Sequence, residues 1–230
     1  MRIRHLNYKI DEEGNRFSFY ETLWKRQGLE LLLKYCPAQR KTLLDYGSGR
    51  GEFLGMAGAA GFVVRGTDTD PECVALSSRF GSACQLDVRD PLSQFGAKSF
   101  DVVSCFHVLE HVDNPKEVLT TLGKMARTHI VIAVPNLRYL DRLFIPPALT
   151  GVNEGHLQSW DHVHLLNLAE KHCGLKLVSW GFDATILPLA SNLSAKIFGR
   201  KTTIRLETGL FRRIFPYHGI SVLGLFQPVA

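Results

Sequence analysis

The sequence lacks several things that would settle its class at once. It has no C-x-x-C pair, no internal repeat and no low-complexity tract. Its five cysteines, Cys36, Cys73, Cys84, Cys105 and Cys173, are an odd number, and most sit among apolar residues. A disulfide framework or a zinc knuckle is therefore not expected, and reduced core thiols in a cytoplasmic protein are. No apolar run is long enough to cross a bilayer. The basic start, Met1-Arg2-Ile3-Arg4-His5, is followed by Asn7-Tyr8-Lys9-Ile10-Asp11 and not by an apolar stretch, so a signal peptide is not expected. With 45% apolar and 21% charged residues over 230 positions, the chain is a globular protein of one large domain.

Acidic residues are nearly missing from the last fifth. Up to residue 183 basic and acidic side chains balance; beyond it stand Lys196, Arg200, Lys201, Arg205, Arg212 and Arg213 against Glu207 alone. Aromatic and aliphatic residues are interleaved with these charges. Such a segment suits an anionic surface or a solvated helix face, and residues 184–216 are read as a basic insertion that can make weak contact with an anionic surface.

Hydrophobic periodicity places the elements. Ser18–Tyr35 has the recurrence of an amphipathic helix. Short β-rich runs are expected at Thr42–Tyr46, Gly61–Asp68, Ala83–Leu86, Phe100–Phe106, His129–Val134, Leu175–Phe182 and Gly219–Phe226. Helices are expected at Glu52–Ala60, Pro71–Arg79 and Pro115–Arg127, and from an N-cap at Ser159 to about Cys173. Alternation of strand and helix means a parallel sheet covered on both faces, an α/β doubly wound fold.

One turn carries the functional signal: Asp45-Tyr46-Gly47-Ser48-Gly49-Arg50-Gly51-Glu52. The dinucleotide fingerprint G-x-G-x-x-G needs glycine at position 52, where this chain has Glu52. A carboxylate there is a poor neighbour for a pyrophosphate. Acidic groups beside the turn instead suit a ligand carrying a cation and a free ammonium, not phosphates.

This D-x-G-x-G-x-G turn closely resembles motif I of the class I S-adenosylmethionine-dependent methyltransferases, in the branch that acts on small molecules. The resemblance runs on in order through Gly66-Thr67-Asp68-Thr69-Asp70-Pro71, Gln85-Leu86-Asp87-Val88, Ser99 to Pro115, and Val131 to Asn136, and covers about residues 38–183. It implies a Rossmann-like seven-stranded sheet whose last strand is antiparallel. It implies that Asp45, Gly47, Gly49 and Gly51 shape the methionine pocket, that Asp68 serves the ribose, that Asp87 and Val88 serve the adenine, and that Thr69, Phe106 and His107 also bind the cofactor. The organisation it implies is a helical cap at 1–37, the cofactor core at 38–183, the basic insertion at 184–216 and the last strand at 217–230.

The family's reaction centre lies near the loop after the fourth strand. Methyltransferases of nucleobase and glutamine amino groups usually carry Asp/Asn-Pro-Pro-aromatic there, whereas this chain has Cys105-Phe106-His107-Val108. Hydroxyl or carboxyl acceptors on small molecules, sugars or lipids are thus favoured. His111 or His107 is the expected base, aided by Glu110. On one helical turn His107, Glu110 and His111 would share a face. That resembles the metal-bearing loop of quinone-precursor O-methyltransferases and of small-RNA terminal 2′-O-methyltransferases. Those families have glutamate where this chain has His107, and no metal is assigned. His156 can face the same pocket, Tyr20 and Trp24 can lid it, and Arg138, Tyr139 and Arg142 lie where the family places substrate groups. The alternatives are an NAD(P)-dependent oxidoreductase, a non-catalytic S-adenosylmethionine-binding module and, drawing on the basic segment, an RNA methyltransferase. Nucleic acid is an unfavoured partner, because the first 183 residues are neutral.

Overall fold

Seven runs rich in Val, Ile, Leu and Phe pair into one sheet in the computed structural model, which describes residues 16–138 and 155–229. The strands are β1 (Thr42–Tyr46), β2 (Val63–Asp68), β3 (Ser82–Gln85), β4 (Phe100–Phe106), β5 (Ala126–Pro135), β6 (Leu175–Phe182) and β7 (Ser221–Pro228). Their order is β3-β2-β1-β4-β5-β7-β6. The first five run parallel, and β7 is antiparallel to both its neighbours. The expected doubly wound α/β sheet is therefore observed, with the antiparallel strand where the resemblance put it. The middle of β5 is fully buried from Ile130 to Val134, as a strand covered on both faces must be.

The helices are α1 (Arg16–Tyr35), α2 (Glu52–Ala59), α3 (Pro71–Ser77), α4 (Pro91–Phe95), α5 (Pro115–Met125), α6 (His162–Asn167), α7 (Pro188–Leu206) and α8 (Arg212–Ile214). Prolines open α3, α4, α5 and α7, where a missing N–H costs nothing. The structure departs from the expectations at several element bounds, at residues 184–216, where the basic insertion contains α7 and α8, and at α6 and α4. The N-cap before α6 is Asp161, not Ser159: its carboxylate accepts from the His164 amide at 2.9 Å, and the helix passes into a π-turn at Leu168–His172. The helix α4 was not anticipated, because five residues carry too little periodicity to register. Among the described residues no helix is long and apolar enough to cross a membrane.

The sheet divides the core in two. One side gathers Leu44, Val103, Leu119, Ile132 and Phe226; the other packs Leu32, Leu43, Phe53, Val102 and Val131 beneath α1 and α2. Strand order reverses between β1 and β4, and the crevice above such a switch point is where ligands bind open α/β sheets.

Candidate active site

Register brings the site together. Tyr46 lies beside Thr67 and Cys105, Asp68 beside Gln85, and Phe106 beside Ala133, so the carboxyl ends of β1 to β5 finish on one level. Those ends and the loops leaving them carry Asp45, the glycine turn, Asp68, Asp87 and the 106–111 segment.

The glycine turn has the backbone its composition predicts. Gly47 and Gly51 have φ of 78° and 86°, in the left-handed region. A Cβ on Gly47 would drive into Val108, and one on Gly51 would lie 2.7 Å from the Ser77 backbone. Either would prise the turn from its supports. Above Gly49 a Cβ would meet nothing within 4 Å. The turn thus presents bare backbone to open space on one side while it is packed tightly on the other. This is the geometry a close-fitting ligand needs.

Three carboxylates surround it. Asp68 accepts from the Gly49 amide at 2.8 Å and, through its other oxygen, from the Asp70 amide at 3.0 Å. Each oxygen keeps a second lone pair, enough to accept from a pair of ribose hydroxyls. Asp45 lies under the turn, 2% exposed, and accepts from Ser104 Oγ at 2.7 Å. Burial pushes its pKa up to about 6, against the Ser104 bond and the Lys25 charge. Glu52 is half-buried, which alone would raise its pKa, yet Lys25 and Arg50, each at 2.9 Å, hold it at about 2. The Lys25 contact ties α1 to the start of α2.

Asp87, Val88 and Thr69 are exposed. Asp87 accepts from the Arg89 amide at 3.0 Å and Thr69 lends its carbonyl to Gln85 at 3.2 Å, so all three stand on loops at the rim. The Phe106 ring points the other way: it is buried edge-on against Phe53, with centroids 4.6 Å apart, below Gly28. What Phe106 can offer a ligand is its backbone.

The 107–111 segment departs from the expected single helical turn. His107 has φ of 55°, unusual for a residue with a Cβ, and only Leu109–His111 form a 3₁₀ turn. His107 is held on three sides: its ring stacks on Trp24 with centroids 4.3 Å apart, Nδ1 lies 3.1 Å from Glu110 Oε1, and Nε2 is 3.2 Å from Ser221 Oγ. Glu110 is 1% exposed, and neither of its oxygens has a well-aligned hydrogen bond. Burial pushes its pKa up, but the His107 ring foremost, with its own amide and His111, outweighs that and holds it below the ordinary range.

His111 Nδ1 bonds the Gly155 carbonyl at 2.8 Å, and its ring meets His156 edge-on at 4.8 Å. The Glu110 carbonyl accepts from the Leu157 and Gln158 amides at 2.7 and 3.1 Å, which clamps the chain after residue 154 against this loop. The group brought together is therefore Glu110, His111 and His156. Their ligand atoms lie within 4.8 Å of one another, close enough to share a divalent cation, while Nε2 of His107 is turned towards β7. Trp24 covers His107 as a lid would; the Tyr20 side chain, Tyr139 and Arg142 lie outside the described residues. Arg138 pairs with the buried Asp161 at 3.0 Å, so its charge serves α6.

Ser104, Ser221 and buried Asp183 were not foreseen. Asp183 accepts from the Ser221 amide at 2.8 Å, and burial raises its pKa to about 6. No local motif marks these residues: the pairing of β1 with β4 sets Ser104 beside Asp45, and the pairing of β5, β6 and β7 brings Ser221 and Asp183 near His107.

A parallel sheet reversed at β1 and β4, closed by an antiparallel β7 and carrying D-x-G-x-G-x-G at its first turn, defines the class I methyltransferase type. The chain belongs to the methyltransferase domain family, which matches residues 15–179. It is 30% identical over 113 residues to the ubiquinone biosynthesis O-methyltransferase of Vibrio atlanticus (strain LGP32), covering 45% of this chain and 47% of that one. With the protein of the same name from Caulobacter vibrioides (strain ATCC 19089 / CIP 103742 / CB 15) it shares 28% over 130 residues, 54% of this chain and 50% of the other. The chain spans about half the length of these curated relatives. Among solved structures, a SAM dependent methyltransferase from Archaeoglobus fulgidus superposes with a TM-score of 0.62 at 21% identity, over 93% of this chain and all of that one. Magnesium protoporphyrin IX methyltransferase from Synechocystis PCC 6803, solved with SAM bound, gives 0.58 at 14%, over 93% and 81%. These likenesses bear on the fold.

Proposed function

We propose that this chain is an S-adenosylmethionine-dependent methyltransferase acting on a hydroxyl of a small or lipid-linked acceptor. When bound, the cofactor supplies a methyl group on a positively charged sulfur, which leaves as a neutral thioether. The protein has no departing anion to stabilise, so its work is alignment and removal of the acceptor's proton.

The residues present fit that cofactor. Asp68 takes the ribose hydroxyls, and the bare backbone at Gly49 admits the methionine portion. Asp45, ionised above about pH 6, supplies negative potential beneath the ammonium and sulfonium. Asp87 and Val88 flank the adenine at the rim, with Thr69 beside the ribose.

The observation that carries the choice of acceptor is the bond from His111 Nδ1 to the Gly155 carbonyl. A carbonyl only accepts, so the ring proton sits on Nδ1 and Nε2 holds the basic lone pair. His111 is therefore the general base. His107, fixed by Glu110, Ser221 and Trp24, is a positioning residue that holds the loop, and Glu110 places negative charge beside both rings. Glu110, His111 and His156 also lie close enough to hold a divalent cation; in that state His111 Nε2 would be a ligand instead of the base, and the cation would lower the pKa of a coordinated hydroxyl. The names of the relatives, O-methyltransferases of ubiquinone biosynthesis, agree with a hydroxyl acceptor. Five unpaired cysteines agree with a reducing, cytoplasmic setting.

Calorimetric titration with S-adenosylmethionine, S-adenosylhomocysteine and NADH tests the reading. Binding of the first two and not the third is expected, with Asp68→Ala weakening it about 10- to 100-fold, as loss of hydrogen bonds to a charged group does. NADH binding without S-adenosylmethionine binding would replace the methyltransferase with an oxidoreductase. Cofactor binding with no labelled methyl reaching any hydroxyl compound of a cell extract would reduce the chain to a binding module.

A further inference from the structure

The helix α7 is turned inside out. Ser191, Ser194 and Thr203 face inward at 1%, 7% and 4% exposure, with Thr203 Oγ1 bonded to Ser194 Oγ at 2.9 Å. Leu189, Leu193, Ile197 and Phe198 face outward at 88%, 59%, 60% and 64% exposure. A helix on the surface of a soluble domain ordinarily does the reverse. Leu189, Leu193 and Ile197 recur every four residues, so they form one stripe along the helix. The backbone breaks at Gly199; Lys196 precedes the break, and the exposed Arg200, Lys201 and Arg205 follow it. Between residues 184 and 229 Glu207 is the sole acidic residue, and its side chain is fully buried. The segment thus exposes apolar and cationic side chains and no acidic one of its own.

Charge decides what covers it. A second copy docked face to face would bring two sets of cations together. A nucleic acid would meet the cations but leave four large apolar side chains in water. An anionic bilayer answers both features at once, acyl chains for the stripe and headgroup phosphates for the cations. We propose that α7 docks this protein on the anionic surface of a lipid bilayer, with Leu189, Leu193, Ile197 and Phe198 below the headgroups. The helix leaves the sheet at the ligand end: β6 finishes at Phe182 opposite Val222, Asp183 bonds Ser221, and Ser221 bonds His107. Docking therefore holds the pocket's side of the sheet near the membrane. That the acceptor is drawn from the bilayer rests on the methyltransferase reading; the docking does not.

Flotation with phosphatidylcholine vesicles, with and without phosphatidylglycerol, tests it. The protein should float with the anionic vesicles and stay behind with the neutral ones. The double variant Leu193→Glu/Ile197→Glu and the double variant Lys201→Glu/Arg205→Glu should each lose at least tenfold in partitioning. Both alter exposed positions, so their thermal melts and cofactor titrations should match the parent. Equal flotation with neutral vesicles, undiminished flotation of either variant, or RNA binding or self-association through this face in place of vesicle binding would overturn the proposal. Vesicle binding by a protein that takes up no S-adenosylmethionine would leave the docking intact and remove the methyltransferase reading alone.

Discussion

Asp45 illustrates how a residue can be placed for function at the expense of stability. Its carboxyl titrates near 6 in the folded chain and near 3.8 when free, because burial penalises the charge. The folded state holds the proton more tightly, so this group's contribution to stability falls as pH rises from about 4 to 6 and stays low above. Asp45→Asn should therefore raise stability at pH 7.5 by up to about 3 kcal/mol, with no gain below about pH 4. Urea melts at the two pH values check this, and calorimetry should show weaker S-adenosylmethionine binding in the same variant. His111, its Nδ1 bonded to a carbonyl, is the proposed base. His111→Ala should lower kcat by about 10²- to 10⁴-fold, the usual worth of a general base, while cofactor affinity holds. Steady-state kinetics beside a cofactor titration separate the two effects.

At the scale of elements, the glycine turn joins fold to site. Gly47 combines a positive φ with contact against Val108, whereas Gly49 has a positive φ and open space. Gly47→Ala should cost about 2–5 kcal/mol, left-handed strain plus overpacking. Gly49→Ala should cost only about 1–2 kcal/mol of strain, yet impair cofactor binding, since its methyl enters the ligand's space. Denaturant melts with cofactor titration of both variants test the contrast. The strands and α1, α2, α3 and α5 were legible because they obey simple periods, whereas α7, whose apolar residues face outward, was read only as a basic insertion. The start of α6 was misplaced by two residues because Ser159 and Asp161 are equally good caps on paper. Asp161 prevails in the structure, where Arg138 and His164 reach its carboxylate.

For the whole molecule, the site spans loops from β1 to β5, so a ligand bound there links both halves of the sheet and stabilises the native state alone. At about 100 times its dissociation constant, S-adenosylhomocysteine should add about 2.7 kcal/mol, raising Tm by about 5–10 °C for a chain of this size. A thermal shift assay reads this directly, and a flat response would place the cradle elsewhere. The parallel strands of the sheet and the ligand end of β1 and β2 are properties of the sequence alone. They depend on local period, on Gly47 and Gly51 permitting left-handed backbone, and on carboxylates a few residues away. Tertiary structure decided the rest. It separated His107 from His111, bonding one to Ser221 from a strand more than a hundred residues later and setting the other against Gly155 and His156. It buried Asp183 beside the site, and it turned the apolar stripe of α7 outward. Those outcomes rest on which strands become neighbours and which helix face the core has room for, and no local stretch of chain encodes either.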